Sequence, residues 1–128
     1  MGSLKSMFEA ARAKDGGSAI AEARPLIPEP IVAKIFQQLL CGLAYLNTCM
    51  KQMHRDIKPD NILINKRGFV KVTDFGITKS YDGEETEKAK TFVGTMNYMS
   101  PERMEGESYG FAGDVWSLGV MLIEIVTG

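Results

Sequence analysis

The sequence has few of the residues that mark several common classes of protein. Its 128 residues include two cysteines, one histidine and one tryptophan. Two cysteines are too few for a disulfide framework, and the eight-residue separation of Cys41 and Cys49 does not match metal-ligand spacing. Both lie in an apolar stretch with helical periodicity, so we predict two reduced, buried thiols rather than a disulfide or a metal site.

Charge and hydropathy exclude further classes. The formal net charge is −1, which gives no electrostatic reason to expect nucleic acid or an acidic membrane surface as a partner. The first thirty residues contain no apolar segment of the kind found in signal peptides. The most apolar stretch, residues 113–128, is shorter than the roughly twenty residues that a membrane span needs. We predict no nucleic-acid partner, no membrane partner and a cytoplasmic location.

The spacing of apolar residues predicts two helices in the first half of the chain. Residues 4–13 form a short amphipathic pattern with Leu4, Met7, Phe8 and Ala11 on one side. A flexible connection is predicted over residues 14–28, after which Glu29 and its flanking prolines are typical of a helix start. A helix of about twenty residues should follow, since apolar residues recur at three- and four-residue steps. Its predicted stripe is Val32, Ile35, Phe36, Leu39, Leu40, Leu43, Leu46 and Met50.

The segment "MHRDIKPDNILIN", residues 53–65, joins a highly charged loop to an apolar strand pattern. A second strand pattern, "FVKVT", follows the turn residues "KRG" and predicts a β-hairpin with Gly68 at a positive φ. Asn61 precedes the first strand and Asp74 follows the second, so antiparallel pairing brings both to one end of the hairpin. His54 alone is better interpreted as a hydrogen-bonded core histidine than as a catalyst.

The loop leads into that same end of the hairpin and brings a further carboxylate, Asp56, with it. Carboxylate and amide oxygens are the ligands that Mg²⁺ prefers when it shares coordination with phosphate. Lys58, between Asp56 and Asn61, places a cation where phosphate charge would develop. The alternative interpretation is an Asx-rich turn with surface salt bridges, which contribute little energy. For any one of these residues alone, the surface-turn interpretation is the better one. For the whole ordered set it is not, because several charged or amide groups would crowd one end of a hairpin without reason.

Two helices are predicted after residue 100. A short one follows Ser100, an acceptable N-cap, with Pro101 at the first helical position. The segment "GDVWSLGVMLIEIVTG" reads as a helix that is apolar nearly all round, so we predict that it is buried on every side in a protein core.

Four motifs in order resemble eukaryotic protein kinases. "HRDIKPDN" and "DFG", residues 74–76, resemble the catalytic loop and the metal-binding motif of that family. "SPE", residues 100–102, stands where the family has Ala-Pro-Glu, and "DVWSLGV", residues 114–120, resembles its central buried helix. The resemblance implies an α+β, protein kinase-like fold over residues 1–128: an incomplete, mainly helical C-terminal lobe with a small β-hairpin.

The resemblance also implies roles for single residues. Asp56 would accept the proton of the substrate hydroxyl, and Lys58 would steady the γ-phosphoryl oxygens, as in the serine/threonine branch. Asn61 and Asp74 would hold Mg²⁺ across the phosphates of ATP. Leu63 would lie under the adenine, although a role as a core leucine is equally compatible.

The segment "TFVGTMNYMSPER", residues 91–103, is similar to the MAP kinase kinases. In that group the resemblance implies a phosphorylated residue at Thr91 and another four positions earlier, where this chain has Glu87. Glu87 could partly mimic a phosphate for Arg55, and Thr86 is an alternative phosphosite. Thr95 resembles the threonine that hydrogen-bonds the catalytic aspartate. The implied partners are a protein substrate, a MAP kinase, and an upstream activating kinase; dual specificity for Thr and Tyr stays open.

Several parts of the phosphoryl-transfer template are absent from this sequence: the Gly-rich loop, the strand lysine and its helix glutamate. "MGSL", residues 1–4, resembles the hinge between the kinase lobes, and family members continue past Gly128 with helices that include an arginine partner for Glu102. We therefore predict that the 128-residue chain alone is unstable or aggregates and has little or no activity. The alternative function is a non-catalytic binding module that docks another kinase through the open face of the last helix.

Overall fold

The computed structural model describes residues 2–14, 27–74, 96–108 and 110–127. Most of the predicted connection over residues 14–28 therefore lies outside the described residues. Within them, helices predominate and three short strands form one sheet. In chain order the elements are β1 (Gly2–Ser3), α1 (Leu4–Lys14), α2 (Glu29–Thr48), β2 (Ile62–Ile64), β3 (Val70–Val72), α3 (Pro101–Met104) and α4 (Phe111–Thr127).

The sheet is antiparallel, with the strand order β1-β2-β3. The predicted hairpin is confirmed, and Gly68 in its turn has φ of 80°. Pairing continues one step beyond the strands, because the N–H of Thr73 donates to the carbonyl oxygen of Asn61 at 2.8 Å. Strand β1 was not predicted, since two residues are too few to show an alternating pattern.

Helices α1 and α2 bury the side that their periodicity predicted. Leu4 and Phe8 of α1 are buried, and α2 begins at Glu29 directly after Pro28. Ile62 of β2 completes this side of the core. The core cluster consists of Leu4, Phe8, Ile27, Val32, Ile35, Phe36, Leu39, Leu43, Ile57, Ile62, Leu118, Met121 and Ile125.

Four predictions of burial on or beside α2 are wrong. Leu40 and Met50 are each 49% exposed, and Cys41 and Cys49 are exposed free thiols. Each residue of a helix is turned by about 100° from its neighbour, so Leu40 and Cys41 point away from the core that Leu39 enters. Met50 and Cys49 follow the end of the helix, where the periodicity no longer applies.

Helix α4 is buried on one side only. Leu118, Met121 and Ile125 enter the core, whereas Trp116 is 48% exposed and Ile123 is 63% exposed. The prediction that this helix is buried on every side is therefore wrong for the described structure. The physical reason is that α2 and the 96–98 segment pack against the inner side of α4, while no described element covers the outer side.

The short helix predicted after Ser100 is confirmed as α3, with Pro101 at its first position. The carbonyl oxygen of Ser100 accepts hydrogen bonds from the N–H groups of Arg103 and Met104, both at 3.1 Å. The side chain of Ser100 does not cap the helix, because its Oγ is buried and has no hydrogen-bond partner among the described residues. No helix in the described ranges is both long enough and apolar enough to cross a membrane.

Candidate active site

The charged loop, residues 53–61, is held in place by a buried carboxylate on another element. Asp114, in the first turn of α4, is 4% exposed. Its Oδ2 accepts from the N–H of His54 and its Oδ1 accepts from the N–H of Arg55, each at 2.8 Å. Two charge-assisted bonds to consecutive amides fix the backbone just before Asp56.

His54 joins this loop to the end of strand β3. Its side chain is fully buried, and the N–H of Asp56 donates to Nδ1 at 3.3 Å. Because Nδ1 accepts a hydrogen bond, the ring proton is on Nε2, which donates to the carbonyl oxygen of Thr73 at 2.9 Å. The prediction of a hydrogen-bonded core histidine is confirmed.

Arg55 has a left-handed backbone, with φ of 69°. This conformation is unfavourable for a residue with a side chain, and it persists where surrounding contacts enforce it. Asp114 holds the N–H of Arg55, and Nη1 of Arg103 on α3 donates to its carbonyl oxygen. The turn that presents Asp56 is thus held from α4 on one side and from α3 on the other.

Asp56, Lys58 and Asn61 form one hydrogen-bonded cluster. Oδ2 of Asp56 lies 2.8 Å from Nζ of Lys58 and 2.9 Å from Nδ2 of Asn61, and that Nδ2 also donates to the backbone oxygen of Asp56 at 2.8 Å. The side chains of Asp56 and Lys58 are only 12% and 21% exposed. Oδ1 of Asp56 is buried and has no hydrogen-bond partner among the described residues. An acceptor atom of the cluster is therefore left for a further donor.

The two residues predicted to hold a metal lie at the same end of the hairpin. Asn61 is 4% exposed and pairs with Thr73, and Asp74 is the next residue, exposed and left-handed with φ of 63°. Within the described ranges no group of three or more His, Cys, Asp or Glu side chains could hold a metal by itself. One amide oxygen and one carboxylate fit an ion that keeps phosphate or water ligands, as Mg²⁺ does, better than a site closed by protein ligands.

Leu63 lies in the middle of β2, opposite Ser3 on one side and Lys71 on the other. Its neighbours Ile62 and Ile64 join the core or pack against it, but Leu63 is outside that cluster. Alternation along a strand explains the difference, because successive side chains point to opposite faces of the sheet. Leu63 thus belongs to the sheet face away from the core.

A cavity of about 290 Å³ lies beside the charged loop. Lys5 of α1 reaches across to Asp60 at 3.0 Å, and the hydroxyl of Tyr98 donates to Glu124 of α4. Burial, and then this hydrogen bond, raise the pKa of Tyr98 above its ordinary value. The cavity is lined by Lys5, Phe8, Glu9, Arg12, Pro59, Asp60, Asn97, Tyr98 and Glu124.

Comparison with known proteins agrees with this geometry. The model of the protein kinase domain matches residues 4–128. The chain belongs to the protein kinase family.

Its relatives include several MAP kinase kinases, which confirms the narrower resemblance. Mitogen-activated protein kinase kinase 3 of Arabidopsis thaliana is 47% identical over 116 residues, 89% of this kinase chain and 22% of the relative. Dual specificity mitogen-activated protein kinase kinase 1 of Dictyostelium discoideum is 46% identical over 87% of the chain and 17% of the relative. Mitogen-activated protein kinase kinase 5 of Leishmania mexicana is 41% identical over 96% and 23%. The kinase chain therefore spans less than a quarter of these relatives.

The regulatory predictions are only partly accessible in the structure. Arg55 is described, but Thr86, Glu87, Thr91 and Thr95 lie outside the described residues. These four assignments remain predictions.

Sequence reasoning missed two residues of this candidate site, Asp114 and Arg103. Both bind the backbone on either side of Arg55 and act as positioning residues. The sequence does contain a signal for Asp114, because a carboxylate in the first turn of a largely apolar helix needs hydrogen-bond donors when it is buried. Nothing comparable marks Arg103, which lies in a polar segment.

Proposed function

We propose that this chain carries the catalytic loop and the metal-binding residues of a serine/threonine-type kinase of the MAP kinase kinase group. Such an enzyme transfers the γ-phosphoryl group of Mg-ATP to a hydroxyl group of a protein. The observation that carries the proposal is the cluster of Asp56, Lys58 and Asn61, joined at 2.8–2.9 Å. Residues 1–128 would be the part of the domain from the interlobe hinge to the central helix.

In this mechanism Asp56 orients the substrate hydroxyl and accepts its proton. Oδ2 is already bonded to Lys58 and Asn61, whereas Oδ1 is buried and has no partner among the described residues, so Oδ1 keeps the capacity to accept a further hydrogen bond. The ammonium group of Lys58 lies beside the carboxylate and would stabilise negative charge on the transferred phosphoryl oxygens.

Asn61 and Asp74 would hold magnesium, which when bound neutralises charge on the phosphates. Both hydrogen bonds that the Asn61 side chain makes among the described residues use Nδ2, which leaves its amide oxygen as the ligand atom. Leu63 would contact the adenine from the sheet face away from the core.

The proposed protein substrate is a MAP kinase, and an upstream kinase would phosphorylate Thr91 or Thr86, with Glu87 acting as a partial phosphate mimic. The similarity to MAP kinase kinases supports the substrate class, and the similarity to the dual specificity kinase of Dictyostelium supports dual specificity. A cytoplasmic location belongs to the same proposal.

A chimera tests the function, because the chain spans only part of its relatives. The matching segment of the Arabidopsis relative is replaced by this chain, and transfer of phosphate from Mg-ATP to a MAP kinase is measured. We expect an active chimera whose rate falls about 10²–10⁴-fold on Asp56→Asn, since this is the usual contribution of a positioned acid or base.

The matched control is Asp60→Asn, which changes an exposed carboxylate of the same loop and should leave most of the activity. Removing Mg²⁺ should abolish transfer. A chimera that folds but is inactive, or one that is equally active with Asp56→Asn, would contradict the proposal.

The second candidate is a non-catalytic binding module, and the exposed outer side of α4 favours it. Trp116, Ile123 and Val126 are each at least 48% exposed on one helix. Patches of apolar side chains of this kind are typical of protein–protein contacts. An inactive chimera together with capture of a MAP kinase by the chain, lost on Ile123→Lys, would favour this candidate.

A further inference from the structure

The hairpin turn at the end away from the candidate active site is held by hydrogen bonds from its own residues and from helix α2. Oδ1 of Asn65 accepts from the N–H of Arg67 at 2.9 Å and from the N–H of Phe69 at 3.0 Å. The N–H of Gly68 donates to the carbonyl oxygen of Asn65 at 3.0 Å. These bonds leave the tip of the turn little backbone freedom.

Helix α2 holds the same turn through one side chain. Nε2 of Gln38 donates to the carbonyl oxygen of Gly68 at 3.0 Å, and Oε1 accepts from the N–H of Val70 at 3.1 Å. The same Nε2 also donates to the carbonyl oxygen of Lys34, one helical turn earlier, at 3.2 Å. Lys34 therefore lies on the part of α2 that adjoins the turn, about 6 Å along the helix from Gln38.

Positive charge is concentrated at this junction. The hairpin, residues 62–73, contains Lys66, Arg67 and Lys71 but no carboxylate, in a chain whose net charge is −1. Lys34, Lys66 and Arg67 are exposed, and among the described residues none has an ion pair, since those present join Lys5 to Asp60 and Lys58 to Asp56. Within the described ranges, no ion pair therefore neutralises the charges at the turn.

An exposed aromatic side chain accompanies these cations. Phe69 is 58% exposed, next to the turn and outside the core cluster. A large apolar side chain beside cations on an ordered turn is typical of binding surfaces rather than of a turn that only reverses the chain.

We propose that Lys34, Lys66, Arg67 and Phe69, the basic turn surface, bind an acidic peptide segment of another protein that carries an apolar side chain. The three cations would attract the carboxylates of the peptide, and Phe69 would pack against its apolar side chain. Because the turn is already ordered, little conformational entropy is lost on binding. A short acidic segment can contact these four residues alone. An extended polyanion would reach beyond them and be repelled by acidic groups elsewhere on the chain, whose net charge is negative. The surface is independent of phosphoryl transfer.

The test measures binding to the full 128-residue chain immobilised on a biosensor, in an Ile123→Lys/Val126→Lys background that keeps it monomeric, after circular dichroism has shown that it is folded. The probe is a synthetic peptide of glutamate and aspartate with two leucines, and a second peptide has serine in place of leucine. Lys66→Glu/Arg67→Glu should weaken binding of the leucine peptide about tenfold or more, because attraction becomes repulsion at two positions. The matched control, Arg12→Glu/Lys51→Glu, changes the net charge equally at exposed cations elsewhere and should stay within about twofold.

Phe69→Ala separates the apolar contact from the charge. This substitution should lower the binding affinity of the leucine peptide several-fold and leave that of the serine peptide unchanged. Raising the salt concentration from 0.05 to 0.5 M should lower the binding affinity of both peptides, since salt screens the attraction between exposed charges.

The proposal is overturned if the leucine peptide does not bind, or if both double variants weaken it equally. It is also overturned if vesicles with 30% phosphatidylserine or a DNA duplex bind more tightly with the same dependence on Lys66 and Arg67. If circular dichroism shows that Lys66→Glu/Arg67→Glu is unfolded, Lys66→Gln/Arg67→Gln replaces it, with an expected loss of about threefold.

Discussion

Both sides of helix α4 are mainly apolar in sequence, but one side is buried and the other is exposed. On the inner side Met121 and Ile125 are fully buried and Asp114 binds the charged loop. On the outer side Ile123 and Val126 are 63% and 48% exposed. The apolar composition of a helix therefore indicates how much of its surface favours burial. Which side is buried depends on the elements that pack around the helix.

The largest expected effect concerns the outer side. We expect the unmodified chain to self-associate, because exposed apolar side chains on one helix favour contact between copies. Ile123→Lys/Val126→Lys should convert it to a monomer, as measured by size-exclusion chromatography with light scattering. Ala33→Lys/Ala44→Lys adds the same charge at exposed positions of α2 and should not. A monomeric unmodified chain would show that the outer side needs no cover.

The second prediction removes the carboxylate on the inner side. In the monomeric background, Asp114→Ala should lower the free energy of unfolding by about 3 kcal/mol, because one buried and one partly buried amide lose their acceptor. Urea unfolding followed by tryptophan fluorescence measures it. Asp60→Asn, at an exposed carboxylate, should change little. Equal midpoints for the two variants would mean that Asp114 does not hold the loop.

The third prediction compares the two sides by truncation. Ile125→Ala should cost about 3 kcal/mol, as is usual for a fully buried aliphatic side chain. Val115→Ala on the same helix, 42% exposed, should cost less than about 1 kcal/mol. The same urea experiment measures both, and a similar loss at both positions would remove the distinction between the sides.

The smallest expected effect is a pH dependence at Tyr98. Its pKa is raised above 10.0 in the folded chain by burial and by the bond to Glu124, so its contribution is complete below the unfolded pKa. That contribution is lost as the pH rises from about 10 through the folded pKa. The urea midpoint should therefore fall more steeply above pH 10 in the parent than in Tyr98→Phe. Parallel curves would contradict this, and Tyr45→Phe on α2 is the matched control.

Much of the fold could be predicted from local pattern. Three- and four-residue spacing located α1 and α2, and "KRG" located the hairpin turn with Gly68 at a positive φ. Leu40 and Cys41 could not be assigned correctly, because periodicity shows a helix face without its edges. Strand β1 exists only through its pairing with β2, a contact between residues about sixty positions apart that no local pattern encodes.

The candidate site divides in the same way. Order and spacing of residue types identified Asp56, Lys58, Asn61 and Asp74, and the first three form one cluster in the structure. The left-handed turn at Arg55 could not be predicted, since its amide and its carbonyl are held by side chains from α4 and α3.

By itself, the sequence determined the chemistry that is available: the carboxylate, the lysine and the amide of the charged loop, and the helices and hairpin around them. These follow from residue type and from interactions within a few positions. Only the tertiary structure decided that Asp114 would hold the loop, that Leu63 would leave the core and that one side of α4 would stay exposed. Such outcomes depend on which elements meet, because burial and buried hydrogen bonds are properties of pairs of distant segments.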